Sequence, residues 1–253
     1  CALQWPHSLS SNRTRSLPFA RLVRVQDNSG VTFSSPLVLK YQEAVHVAAF
    51  LKRITSWDAS SVVRIQTKGR VAGVWGTSPM GCLVFIAVPM SETPEVAVDT
   101  VVFAGRLRDI LGDLSVPTSD NHELAYRLPE DLPLTAQLAE LPPAGAWVLA
   151  ERMAAAAAAD LVDAAIADYH QQAEMFPGAD RAFLDQIAET IWARPGVAAF
   201  PLKALHAARS LGFLGHANAH VEFAALDGWK RLATPAGHVF VNTNGSRPKL
   251  RVI

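Results

Sequence analysis

Three short runs decide how this chain is read: Val62-Val63-Arg64-Ile65-Gln66-Thr67, Arg70-Val71-Ala72-Gly73-Val74-Trp75 and Leu83-Val84-Phe85-Ile86-Ala87-Val88. They are rich in β-branched and aromatic residues, and Lys68-Gly69 and the stretch 76–81 supply turns between them. The pattern predicts three consecutive strands in an antiparallel ladder. Upstream the period changes. Over residues 41–57, Ala44, Val45, Ala48, Leu51 and Ile54 fall on one stripe of a helix. Residues 101–114 read as a second helix with Leu107, Ile110 and Leu111 inward. Residues 19–26 and 31–39 read as strands, the latter broken at Pro36, with Asp27-Asn28-Ser29-Gly30 as a turn between them. Residues 1–18 read as a polar, basic arm.

Beyond residue 115 the texture differs. Pro117, Pro129, Pro133, Pro142 and Pro143 make 115–145 a linker or an irregular cover rather than a long helix. Residues 146–176 read as a helix, because six consecutive alanines at 154–159 favour it and Pro177-Gly178 ends it. Asp180 is an N-cap for a helix over 181–193. A short helix over 202–211 follows, closed by Gly212. Short strands over 221–226, 229–233 and 238–242 are separated by turns at Asp227-Gly228 and Pro235-Ala236-Gly237. No internal repeat is visible. The expected class is α+β: an N-terminal antiparallel sheet with two helices, then a helical, winged-helix-like C-terminal region. The expected boundary lies near 145, giving domains 1–145 and 146–253.

The charge is sorted along the chain. Formal net charge is zero, from 23 basic and 23 acidic side chains. Residues 1–119 carry +4, residues 120–193 carry −10 and residues 194–253 carry +6. Such sorting bears on partners rather than on fold. Half the residues are apolar, a globular composition, and two cysteines far apart give no disulfide framework. No apolar run is long enough to span a bilayer and no secretory leader is visible. A cytoplasmic protein is the expectation, and heavy Ala and Arg use suggests a bacterial source.

Candidates for chemistry are few. Cys1 would place a thiol and a free amine on one residue, the arrangement of N-terminal-nucleophile hydrolases. A mobile arm is the alternative reading of that end. His216 and His220 are four apart, as zinc ligands on one helix face are, but Ala217-Asn218-Ala219 between them lacks a general-base glutamate and the glycines nearby favour a loop. Gly69, Gly73, Gly76 and Gly81 do not have phosphate-loop spacing, and hairpin turns or bulges account for them. Asp160, Asp163, Asp168 and Glu174 read as a solvated acidic face. No complete catalytic, cofactor or metal motif stands in the chain, so no cofactor is expected.

Two resemblances follow from these residues. Residues 181–253 run helix, helix, β-hairpin, which resembles a winged-helix module. That resemblance implies nucleic-acid contacts from Lys203 and Arg209 on the second helix, Lys230 and Arg231 on the wing, and Arg247, Lys249 and Arg251 on the tail. His206-Ala207-Ala208 leaves few side chains to read base edges there. Residues 44–114 combine the helix, the ladder and Asp99-Thr100-Val101-Val102-Phe103-Ala104-Gly105-Arg106-Leu107-Arg108-Asp109-Ile110-Leu111. In that order they resemble one module of the bacterial DNA-polymerase sliding clamp. The pattern does not continue past 115, so a module shape is carried over and ring formation is not.

The functional expectation is a non-enzymatic binding or scaffold protein, with a protein partner, self-association or nucleic acid as the partner classes and no membrane. The alternative is a hydrolase using Cys1.

Overall fold

The computed structural model describes residues 36–112, 122–216 and 218–243. Its centre is one antiparallel sheet of eight strands in the order β5-β2-β3-β4-β10-β9-β8-β7. The ladder read from the sequence is present as β2 (Val62–Lys68), β3 (Val71–Thr77) and β4 (Leu83–Pro89). A second meander, β8 (His220–Leu226), β9 (Trp229–Thr234) and β10 (Gly237–Asn242), continues it. The two join through their last strands, with His238 opposite Phe85 and Phe240 opposite Leu83. The outer positions are taken by β5 (Asp99–Phe103) beside β2 and β7 (Val148–Ala154) beside β8. The sheet is thus two four-stranded halves laid end to end, a repeat the sequence does not show. A separate two-stranded ladder pairs β1 (Leu37–Lys40) with β6 (Glu123–Tyr126).

The β8–β9 hairpin shows local chemistry fixing register. Asp227 and Gly228 both have positive φ, 45° and 76°. Two such residues in a two-residue loop match the twist of the flanking strands, and Asp-Gly is the sequence that tolerates them.

One face of the sheet is covered by helices. α1 (Tyr41–Trp57) buries Ala44, Val47, Phe50, Leu51 and Ile54, and α2 (Ala104–Gly112) packs beside it. Under the second half lie α4 (Ala155–Glu174), α5 (Arg181–Ala193) and α6 (Leu202–Ser210), after the short α3 (Ala136–Ala139). Strand residues of both halves, among them Ile65, Val84, Phe223 and Val239, share one core with α1, α2, α4 and α6. Phe50 of α1 stacks with Phe213, centroids 6.2 Å apart, which ties the two halves of the helical layer. Close approach explains two of the four glycines expected at turns or bulges. A Cβ at Gly76 would stand 2.6 Å from Ile54 Cδ1 and one at Gly73 would stand 2.7 Å from the Phe85 ring. Both lie inside β3, where a side chain would push α1 or Phe85 away; only Gly69 and Gly81 sit at turns.

The other face holds Trp75, Leu83, Phe85, Val101, Ala224, Trp229 and Phe240 under Leu132, Leu138, Leu141 and Trp147. The proline-rich segment therefore runs as a strap across the sheet. Asp131 accepts from Val101 N at 3.1 Å and from Thr100 Oγ1, and Leu132 N donates to Val101 O at 2.7 Å. Arg64 Nη1 donates to Leu138 O at 2.8 Å while its Nε pairs with Asp99 at 2.7 Å. Asn242 reaches Glu140 at the far end.

Three expectations are corrected. The helix read over 101–114 begins at Ala104, because Thr100-Val101-Val102-Phe103 pairs with β2 as a strand. The helix read over 146–176 begins at Ala155. Residues 148–154, good helix formers, are held extended by β8, with a register shift between Leu149 and Glu151; pairing overrides intrinsic propensity. The hairpin read as a wing, β8–β9, is part of the central sheet with β10, so among the described residues it is not a separate winged-helix unit.

Candidate functional site

The helical layer divides by charge. α1 and α2 together carry Lys52, Arg53, Arg106 and Arg108 against Glu43 and Asp109, whereas α4 and α5 carry six acids against Arg181. The apolar stripe of α1 faces the sheet, which leaves Lys52, Arg53 and His46 on the outer stripe, exposed. Arg106 is exposed on α2, and Arg108 is held by Asp109 at 2.7 Å and by Thr55 at 3.1 Å. The Arg53 guanidinium lies 3.0 Å from where a Cβ on Gly212 would stand, so it reaches the seam with the segment after α6. Amphipathicity of these two helices was legible in the sequence. The positive charge of their outer stripes, which the sequence reading passed over, is the signal that would have pointed here.

Among the described residues, Lys203, Arg209, Lys230 and Arg231, expected to contact nucleic acid, do not all lie on one surface. Lys230 and Arg231 are neighbours on β9 and therefore project to opposite faces. Lys230 donates to Ala199 O and lies 5.4 Å from the Phe200 ring, beside the helical core. Arg231 is 4% exposed and stands 4.9 Å over the Trp147 ring, on the strap side. Arg209 pairs with Asp163 of α4 at 2.6 Å. Lys203, half-buried on α6, faces Asp185 and Glu189 across a groove. Arg247, Lys249 and Arg251 lie outside the described residues, as does Cys1. The acidic middle and the basic end of the chain meet in the folded molecule: Arg194 pairs with Asp168 and Arg152 with Glu222, besides Arg209 with Asp163.

His216 is exposed in the loop before β8 and His220 is the exposed first residue of that strand, so they do not share a helix face. Among the described residues no group of three or more His, Cys, Asp or Glu side chains could hold a metal ion. No helix among them is long and apolar enough to cross a membrane. Cys82 is buried, and burial pushes its thiol above the usual range, so its reactive thiolate is disfavoured.

Residues 34–125 match the model of a domain of unknown function (DUF8010), and residues 142–246 match that of another domain of unknown function (DUF8185). A search of curated proteins returns no match. In structure the chain is similar to the DNA polymerase sliding clamp from Pseudomonas aeruginosa. Two crystal structures of that clamp, one with ligand, give TM-scores of 0.50 and 0.51. Each is 12% identical and covers 85% of this chain and 66% of the clamp chain. The likeness at this identity is one of fold. The resemblance of residues 44–114 to a clamp module holds, and it reaches into the second half, which the sequence pattern had hidden. This chain spans 66% of the clamp's length.

Proposed function

We propose that this chain is a non-enzymatic binding or scaffold protein that associates with nucleic acid through the outer faces of α1 and α2. The observation that carries the reading is the segregation of charge on a clamp-like helical layer. Lys52, Arg53 and Arg106 stand exposed on one side, and the acids of α4 and α5 on the other. Phosphate contacts need exposed cations on a shared surface, and most of their affinity comes from counterion release. Among the residues named from the sequence, Arg209 and Lys230 already have internal partners and Arg231 is buried. The neighbours' description as clamps of a DNA polymerase agrees with this reading. Contact with the backbone rather than the base edges fits side chains spread over two helices, and it makes binding sequence-independent.

The test is size-exclusion chromatography with light scattering, with and without a short DNA duplex, at low and high salt. A complex that forms at low salt and is lost at high salt supports the reading. Coelution failing at every salt concentration overturns it.

A further inference from the structure

The second half of the chain holds an element that its first half lacks. Between β1 and β2 a single helix, α1, crosses the sheet. Between β7 and β8 the chain makes α4, then α5 and a tight turn at Val197–Ala199, then α6. α5 contributes little to the main core. Its buried residues, Ile187 and Ile191, form a small cluster with Ala165. Its other stripe, Asp185, Ala188, Glu189, Trp192 and Ala193, faces outward across an open groove of about 640 Å³. The turn residues Pro79 and Met80 and Lys203 of α6 form the remaining walls.

From this groove we infer that α5 and the β3–β4 turn form a docking site for a short cationic peptide segment of a partner protein. The lining is largely apolar: Pro79, Met80, Ala188, Ala193 and Trp192, whose ring lies 4.4 Å from His206. The rim is acidic. Asp185 is 67% exposed and only 3.8 Å from a nearly fully exposed Arg181, a pair too solvated to neutralise it. Glu189, one turn on, is exposed on the same rim. Residues 185–193 span about 12 Å of helix, the length of three or four extended residues. An extended peptide fits that dimension, with one apolar side chain on Trp192 and Met80 and a Lys or Arg meeting Asp185 and Glu189. Lys203, on the opposite wall, is placed to donate to a peptide carbonyl. Nucleic acid is repelled by the acidic rim, which separates this surface from the α1–α2 face.

The test is panning a display library of random octapeptides against the full chain at low salt. Enriched peptides with an apolar residue next to Lys or Arg are expected. Their affinity should fall at least tenfold in the Asp185→Lys, Glu189→Lys double variant and stay unchanged in Asp160→Lys, an exposed acid on α4. Both variants change exposed side chains, and circular dichroism melts confirm that they fold. No enrichment, a consensus without Lys or Arg, or affinity indifferent to the double variant would overturn the inference. A dimer of the chain that the double variant dissolves would also overturn it, in favour of a second copy.

Discussion

At the scale of single residues, the polar groups on the strap face are the most constrained. His238 stands between Phe85 and Phe240, centroids 5.8 and 5.9 Å away, and its Nδ1 is buried without a hydrogen-bond partner. Burial, helped by the Arg231 charge, pulls its pKa from 6.5 down to about 4. Between those values the unfolded chain takes up a proton that the folded chain refuses, so stability falls as pH drops from about 6.5 to about 4. His206, lowered by burial and by Arg209, adds to the same slope. Urea unfolding across this window should show that slope, and His238→Gln should flatten it. An unchanged slope in the variant contradicts the account. His238 was legible as a strand residue. Its burial was not, because that depends on Phe85 of the other half and on Arg231.

At the scale of elements, the strap carries an argument that composition only half revealed. Five prolines excluded a long helix, but what the segment covers follows from its anchors. Asp131 holds the Val101 amide and the Thr100 hydroxyl, and Arg64 holds Leu138 O. Asp131→Ala leaves two donors short of an acceptor and should cost about 1–3 kcal/mol. Hydrogen exchange at the Val101 and Leu132 amides should accelerate with it. Equal protection in variant and parent would show that the strap is held elsewhere. The elements read correctly were those with their own strong period or clear end signals: α1, the β2–β4 ladder, α5, α6 and the β8–β10 meander. Those misread, β5 and β7, are outer strands. β7 is largely exposed and built from helix-forming residues, so only pairing with β8 makes it a strand. The second half hid its likeness to the first for the same reason, compounded by the added α5.

At the scale of the whole molecule, the sheet and its helical core run without a break through the β4–β10 junction. The halves should therefore unfold together. Calorimetry should give one transition with equal calorimetric and van't Hoff enthalpies, and two separated transitions would contradict a shared core. The zero net charge conceals a molecule whose basic end is partly neutralised by its acidic middle, at Arg194–Asp168 and Arg209–Asp163. Lys52, Arg53 and Arg106 of α1 and α2 take no part in those pairs. The sequence showed that charge was sorted; it did not show which part of the sorting survives folding, since that depends on which segments touch.

The most direct test of the central claim is fluorescence anisotropy of a labelled DNA duplex titrated across a salt series. The parent chain is compared with Lys52→Glu, Arg106→Glu and with Arg209→Glu. The account predicts that the Lys52→Glu, Arg106→Glu variant loses at least tenfold in affinity. The slope of log affinity against log salt should shrink by about one for each cation that contacts phosphate. Arg209→Glu should bind as the parent does. Loss of binding in Arg209→Glu with parent-like binding in the other variant would contradict it.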